Sequence, residues 1–169
     1  MKIRKANRSD LSDIMLLVRQ AQAYLKEHHV NQWQNQYPNE EVILQDIDKK
    51  CFYVLEEKHL IGCMYFAVEN DSNYEKIDGN WITEGSYGVI HRIIIDSQEK
   101  GKGRAKLLLD EAEHMCQENN VASIRIDTHE DNLSMRRFLK KNSFVECGII
   151  LIDGISPRIA YEKKVQNRS

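Results

Sequence analysis

The chain has 169 residues, of which 41% are hydrophobic and 30% are charged, a composition typical of one folded domain with a water-facing surface. Its formal net charge of −2 argues against a nucleic-acid partner, which would require a strongly basic face. No apolar run is long enough for a membrane span and no secretory leader is visible, so we expect a single domain over residues 1–169, located in the cytoplasm, with no membrane partner.

The four cysteines are widely scattered and contain no C-x-x-C pair: Cys51, Cys63, Cys116 and Cys147. A zinc site would need cysteine and histidine ligands at short spacing. We therefore expect no metal, and we interpret the cysteines as partly buried thiols in a reducing compartment.

The first half of the chain predicts two helices and three strands. Apolar residues recur at helical spacing from Leu11 to about His28, and Ser9 and Asp10 supply the cap. A second helix is predicted over Glu40–Lys50. Strands are predicted over Lys2–Ala6, Cys51–Leu55 and Leu60–Val68, and polar loops over Asn31–Asn39 and Asn70–Asn80.

The second half alternates strands and helices. The strand Tyr87–Ile95 ends in a β-branched run, which indicates burial on both faces. A helix begins near Gly103, and its apolar face recurs through Cys116. Next come a strand over Ala122–Asp127, a helix from an Asp131 cap to about Lys141, and an antiparallel pair over Phe144–Ile152 and Pro157–Lys163. This order predicts an α+β domain with a parallel strand–helix–strand crossover.

The turn between the buried strand and the following helix is the most informative segment. Gly101 and Gly103 let backbone N–H groups approach a ligand closely, and the helix start adds unpaired N–H groups. Three basic residues stand beside the glycines: Lys100, Lys102 and Arg104. These features predict an anion site suited to a pyrophosphate.

Two common phosphate loops do not fit this turn. A P-loop needs Gly-x-x-x-x-Gly-Lys-Ser/Thr, but Gly103 is followed by Arg104 and Ala105. A Rossmann turn needs Gly-x-Gly-x-x-Gly at the strand end, but position 106 is lysine and no acidic ribose partner is evident at the expected distance.

The turn instead resembles the GNAT acetyltransferases, whose signature is Arg/Gln-x-x-Gly-x-Gly/Ala between a hydrophobic strand and an amphipathic helix. One register reads Lys100-x-x-Gly103-x-Ala105, with lysine at a position that is usually arginine or glutamine. A shifted register reads Gln98-x-x-Gly101-x-Gly103, but it is out of phase with the strand and the helix. Downstream, Asn132-x-x-Met135 followed by Phe144 is similar to the family's Asn-x-x-Ala and Gly-Phe pattern, although position 143 is serine.

The resemblance implies a GNAT fold, in which four helices flank a central, mixed and splayed sheet of about seven strands. It also implies acetyl-CoA as co-substrate, bound along Ile93, Ile94 and Ile95, at the turn residues above, and at Asn132 and Met135. The implied reaction is direct transfer of an acetyl group to a primary amine. GNAT proteins often pair through their C-terminal strands, so a homodimer is compatible with the resemblance.

Two histidines are candidates for removing the proton of the attacking amine. His91 lies on the strand before the turn. In the arylalkylamine N-acetyltransferases of this family, a histidine at the matching strand position is implicated in proton removal. The ordinary pKa of a histidine side chain suits this task. His129 follows the next strand. The alternative for His91 is a strand histidine that is hydrogen-bonded by a neighbour. The alternative for His129 is a solvated histidine on a surface loop. The family often supplies a tyrosine to protonate the departing thiolate, but the matching position here is Leu139.

The acceptor is expected to contact the first two helices and their loop, where Trp33, Tyr37 and Pro38 form an aromatic cluster. A hydrophobic plug over the helices is the alternative. Glu84 is a further candidate for attracting a cationic amine. A small-molecule amine is the preferred acceptor class. A protein N-terminus or lysine, and a non-catalytic acyl-CoA-binding domain, remain the alternatives.

Overall fold

The computed structural model describes residues 1–166, so the last three residues of the predicted domain lie outside the described part. Within that part, the strands are β1 (Lys2–Lys5), β2 (Phe52–Glu56), β3 (Leu60–Val68), β4 (Asp78–Gly79), β5 (Gly88–Ile95), β6 (Ser123–Thr128), β7 (Val145–Ile152) and β8 (Ser156–Lys164). The α-helices are α1 (Leu11–Glu27), α2 (Glu40–Asp48), α3 (Arg104–Glu118) and α4 (Leu133–Lys141). None of these helices is long and apolar enough to span a membrane.

The strands form one mixed sheet in the order β1-β2-β3-β5-β6-β8-β7-β4. This arrangement, with four helices, confirms the predicted α+β fold class. The described chain divides into two compact units. The first contains Met1–Phe66 and His91–Glu111, and the second contains Ala67–Ile90 and the described residues from Ala112 onward.

In the first unit, β2 pairs antiparallel with both β1 and β3. Helix α1 turns its apolar stripe inward, and the buried members of that stripe are Ile14, Met15, Leu17, Val18 and Leu25. Asn39 caps α2, since its side chain accepts a hydrogen bond from the backbone N–H of Val42 at 3.0 Å.

The second unit contains the parallel pairing of the start of β5 with β6, and the C-terminal hairpin. β5 pairs with β6 in parallel at Gly88 and Val89, as predicted, and β8 lies antiparallel between β6 and β7. The splay of β5 and β6 beyond these residues stays a prediction. A hydrophobic core forms around Tyr74, Tyr87, Val89, Ile150 and Ala160.

The prediction of a loop over Asn70–Asn80 is wrong in one respect, because β4 lies within it and brings the strand count to eight. β4 pairs with β7 at Gly79 and Gly148, where a Cβ on either glycine would overlap the backbone of the other strand. This pairing depends on two glycines far apart in sequence, so no local hydrophobic pattern reveals it.

A buried ion pair joins β6 to β8. Arg125 donates from Nε to the Glu162 carboxylate at 3.1 Å, and the two side chains are 7% and 0% exposed. The guanidinium of Arg125 lies 4.2 Å from the ring centroid of Trp81 and 4.0 Å from that of Tyr87. A charge that has lost its water is therefore compensated by a carboxylate and by two aromatic faces.

The same carboxylate holds the segment that precedes β5. Glu162 accepts the backbone N–H groups of Ile82 at 2.6 Å and Thr83 at 3.2 Å, and also the Thr83 hydroxyl at 2.5 Å. Burial raises the pKa of Glu162, but hydrogen bonds from Thr83 and Ser123 and the pairing with Arg125 outweigh it, so the pKa lies below its ordinary value.

The N-terminal cap of α4 differs from the prediction by one residue. Asn132, not Asp131, accepts the backbone N–H of Met135, at 3.3 Å. The backbone N–H of Asp131 donates instead to the His129 ring at 3.0 Å, which places Asp131 in the turn before the helix. Either residue type can cap a helix, so composition alone does not decide between neighbours.

Candidate active site

The turn between β5 and α3 is open at both of its glycines. Gly101 and Gly103 have φ values of 78° and 76°, a left-handed conformation that favours glycine. No atom lies within 4 Å of the position that a Cβ would occupy on either residue. α3 begins directly afterwards at Arg104, so its first N–H groups lack helical partners. The turn thus presents backbone donors beside free space.

Neighbouring elements of the first unit fix the start of this turn. The backbone N–H of Asp96 donates to the Ile61 carbonyl of β3 at 2.9 Å, and that of Ser97 donates to Gln20 Oε1 of α1 at 3.0 Å. The Asp96 side chain then accepts the N–H of Gln98 at 2.8 Å. These hydrogen bonds within the protein hold the backbone at the start of the turn, which lowers the entropic cost of binding a ligand there.

The basic residues of the turn are partly engaged within the protein. Glu99 pairs with Arg104 at 3.2 Å and with Lys102 at 3.5 Å, and the hydrogen bond from Arg104 lowers the pKa of Glu99 below its ordinary value. The ammonium of Lys100 lies 3.8 Å from the ring centroid of Tyr24. Three cations against the two carboxylates Asp96 and Glu99 leave residues 96–104 with a formal net charge of +1.

β5 is irregular at Arg92, whose φ of 51° is left-handed in the middle of the strand. Strict alternation of side chains along the strand therefore does not hold across Arg92. The expected burial of the β-branched run is also only partly correct, because Ile94 is 5% exposed whereas Ile93 and Ile95 are half-buried.

His91 and Arg92 lie beside a cluster of side chains from α2, β3 and the loop before α2. The His91 ring packs against Tyr65, with centroids 5.7 Å apart. Arg92 pairs with Asp46 at 2.7 Å and donates to the Tyr37 hydroxyl at 3.0 Å. Tyr37 is thus brought next to the strand that carries His91.

The other acceptor candidates have separate positions. Trp33 is half-buried in the same loop as Tyr37, while Pro38 is buried. Glu84 is exposed in the second unit, in the segment before β5. No three histidine, cysteine, aspartate or glutamate side chains within residues 1–166 come together as a metal site would require.

The second unit holds His129, Asn132 and Leu139. The side chain of His129 is 14% exposed, and its Nδ1 accepts the backbone N–H of Asp131, which places the proton of the neutral ring on Nε2. Leu139 is fully buried, so its side chain is part of the core.

Sequence reasoning missed Asp46 and Arg92 as neighbours of the candidate residues. A signal for Asp46 exists, since an acidic residue falls between Ile43 and Ile47 on the buried face of α2. A carboxylate on an apolar helix face requires a buried partner. Nothing local identifies that partner as Arg92, which is 46 residues away.

Comparison with known proteins finds a matching family and similar solved structures. Residues 17–144 match the model of the acetyltransferase (GNAT) family. An acetyltransferase of the GNAT family from Streptococcus agalactiae is 30% identical, with 99% of this chain and 96% of that chain covered and a TM-score of 0.88. The chain therefore belongs to the GNAT family.

Two further relatives extend the comparison. Streptothricin acetyltransferase A of Bacillus subtilis is 28% identical over 101 residues, which cover 60% of this chain and 56% of that protein. The match thus spans just over half the length of this curated relative. The PaiA N-acetyltransferase of Thermoplasma acidophilum, solved in complex with coenzyme A, shares the fold at 20% identity, covering 96% of this chain and 98% of its own, with a TM-score of 0.70.

Proposed function

We propose that the protein transfers an acetyl group from acetyl-CoA directly to a primary amine of a small molecule. The observation that carries this proposal is the open, positively charged turn between β5 and α3 in a chain of the GNAT family. The resemblance to a protein named streptothricin acetyltransferase supports a small-molecule acceptor over a protein.

The residues of the turn fit the pyrophosphate of coenzyme A. Gly101 and Gly103 leave space at the backbone, the start of α3 supplies N–H donors, and Lys100, Lys102 and Arg104 supply positive charge. We further propose that main-chain groups of Ile93, Ile94 and Ile95 bind the pantetheine arm, with Gln98, Ala105, Asn132 and Met135 as further contacts. Bound acetyl-CoA supplies the activated acetyl group.

The protein's own part in the chemistry is to place the amine and remove its proton. An alkyl ammonium has an ordinary pKa of about 10.4, so it must lose a proton before attack. A strand N–H near the irregular residue of β5 would polarise the thioester carbonyl. We assign proton removal to His91, because it lies on β5 next to the irregular residue Arg92 and packs against Tyr65.

The first test is thermal unfolding with and without saturating acetyl-CoA, with ATP and NAD as controls. A ligand at 100 times its Kd stabilises the folded state by about 2.7 kcal/mol, so acetyl-CoA alone is expected to raise the Tm by several degrees. An equal shift with all three nucleotides, or no shift with acetyl-CoA, would contradict the proposed donor.

The second test compares histidine variants by amine-dependent thiol release. His91→Ala is expected to lower kcat/KM by about 10²-fold or more, because general base catalysis contributes that much, and to remove the acidic limb of the pH profile. His59→Ala, in the exposed turn after β2, is the matched control and should leave kcat/KM unchanged. A larger loss in His129→Ala than in His91→Ala would reverse the assignment.

A non-catalytic acyl-CoA-binding domain is the second candidate, and the burial of Leu139 is what favours it. A leucine side chain in the core cannot protonate the departing thiolate. An ordinary thiol has a pKa near 8.5, so the thiolate can also leave without such an acid. Stabilisation by acetyl-CoA without thiol release on a broad panel of amines would support the binding domain.

A further inference from the structure

We propose that Arg92 is a positioning residue that, through Tyr37, sets which acceptor amines the enzyme prefers. This inference rests on the function proposed above. It concerns the Arg92 cluster, which we define as Arg92, Asp46 and Tyr37, all within the first unit.

Arg92 links three separate parts of the first unit. Its Nε and Nη2 donate to Asp46 Oδ2 on α2 at 2.8 and 2.7 Å, and its Nη1 donates to the Tyr37 hydroxyl at 3.0 Å. Its guanidinium also lies 5.0 Å from the ring centroid of Tyr65 on β3. The side chain is only 12% exposed, so these contacts are largely removed from water.

The backbone of Arg92 needs such contacts. A non-glycine residue in the left-handed region is unfavourable by about 1–2 kcal/mol, and it persists only where the surroundings determine it. The side-chain contacts of Arg92 with Asp46 and Tyr37 hold its backbone in this conformation, directly next to His91. The Arg92 cluster therefore ties the loop before α2 to the strand position at which we place the chemistry.

Asp46 makes the cluster specific for arginine. Its side chain is 6% exposed, and burial raises its pKa while the charge of Arg92 acts in the opposite direction. A lysine at position 92 carries the same charge on a single nitrogen. It cannot reproduce the planar arrangement that reaches Asp46 and Tyr37 together.

Tyr37 is held at both ends and still faces water. Its carbonyl accepts a hydrogen bond from Gln22 Nε2 of α1 at 2.8 Å, while its hydroxyl accepts one from Arg92. The residue nevertheless remains 42% exposed. An exposed ring in a fixed position can pack against the body of an acceptor at a low cost in conformational entropy. We infer that this ring favours amines with an apolar body.

The experiment compares kcat/KM for 2-phenylethylamine and ethylamine, which carry the same reacting group with and without an apolar body. The wild type is expected to prefer 2-phenylethylamine. Tyr37→Phe keeps the ring but removes the hydroxyl, and Arg92→Lys removes the planar donor. Each is expected to reduce the preference about tenfold, through the KM for 2-phenylethylamine. The Kd for acetyl-CoA is measured for each variant, which separates a change in donor binding from a change in acceptor preference.

Arg8→Lys and Asp48→Asn are the matched controls. Asp48 lies on α2, as Asp46 does, and it pairs with Arg8, which precedes α1; the side chains of Arg8 and Asp48 are 68% and 50% exposed. A merely structural role of the Arg92 cluster would lower activity with both amines equally and leave the preference intact, which would overturn the inference. A wild type that binds acetyl-CoA but acetylates neither amine nor any other would overturn the proposed function and this inference with it.

Discussion

Replacing Arg125 with alanine is expected to lower the free energy of unfolding by about 3–5 kcal/mol, because it leaves the carboxylate of Glu162 buried without its cation. The side chain of Glu162 is fully buried, and only backbone and hydroxyl donors would remain to it. The guanidinium would also leave a gap between the rings of Trp81 and Tyr87. Urea unfolding at neutral pH measures this change.

The control for this prediction is Lys106→Ala, which removes the cation of an exposed pair with Asp110 on α3. Surface pairs of this kind contribute about 0.3–0.5 kcal/mol, so its effect should be small. Equal losses in the two variants would contradict the view that burial determines the effect of removing Arg125.

The free energy of unfolding should also depend on pH through the titration of Glu162. Its folded pKa lies below its ordinary value of 4.5, so its ionised form stabilises the folded state above that pH. The contribution is lost as pH falls through the folded pKa. Glu162→Gln lacks this titration. The difference in the free energy of unfolding between the wild type and Glu162→Gln is therefore expected to be largest near neutral pH and to become smaller in acid.

Gly103→Ala is expected to weaken acetyl-CoA binding by at least about tenfold, beyond any loss of stability. The substitution forces an L-residue into the left-handed region, at a cost of about 1–2 kcal/mol, so the turn shifts or the helix start moves. Its Cβ would also project into space that no protein atom fills. Titration of acetyl-CoA by calorimetry measures the change in Kd.

Gly154→Ala is the matched control for the turn. Gly154 has a φ of 72°, against 76° for Gly103, and likewise has no atom within 4 Å of its Cβ position. It lies in the turn between β7 and β8, and no residue of that turn is proposed to bind coenzyme A. The two variants should lose similar stability, but only Gly103→Ala should lose affinity. Unchanged affinity in both would contradict a pyrophosphate site at this turn.

The long periodic elements could be predicted from the sequence because their signals are local. In α3, six residues are expected on the apolar face. Leu108, Leu109, Ala112 and Cys116 are buried, while Ala105 and Met115 are half-buried. The turn that precedes α3 was recognisable for the same reason, since its glycines, basic residues and flanking elements occupy one short segment. Family membership followed from that segment and the downstream asparagine.

Features that depend on distant residues were not predictable. The left-handed conformation of Arg92 is invisible in a run of strand-forming residues, because its contacts come from Tyr37 and Asp46. The pairing of β4 with β7 likewise depends on a close approach of Gly79 and Gly148. In each case a tertiary contact outweighs the local propensity, which is the only signal that a single sequence carries.

The buried carboxylate of Glu162 also has a consequence for the order in which the protein is made. Ribosomes extend a chain from its N-terminus, so Arg125 and Ile82 are synthesised before Glu162. The carboxylate of Glu162 neutralises Arg125 and accepts the N–H of Ile82. Glu162 follows them by 37 and 80 residues, respectively. A nascent chain must therefore keep this arginine hydrated until β8 has been synthesised, and only then can the second unit close around it.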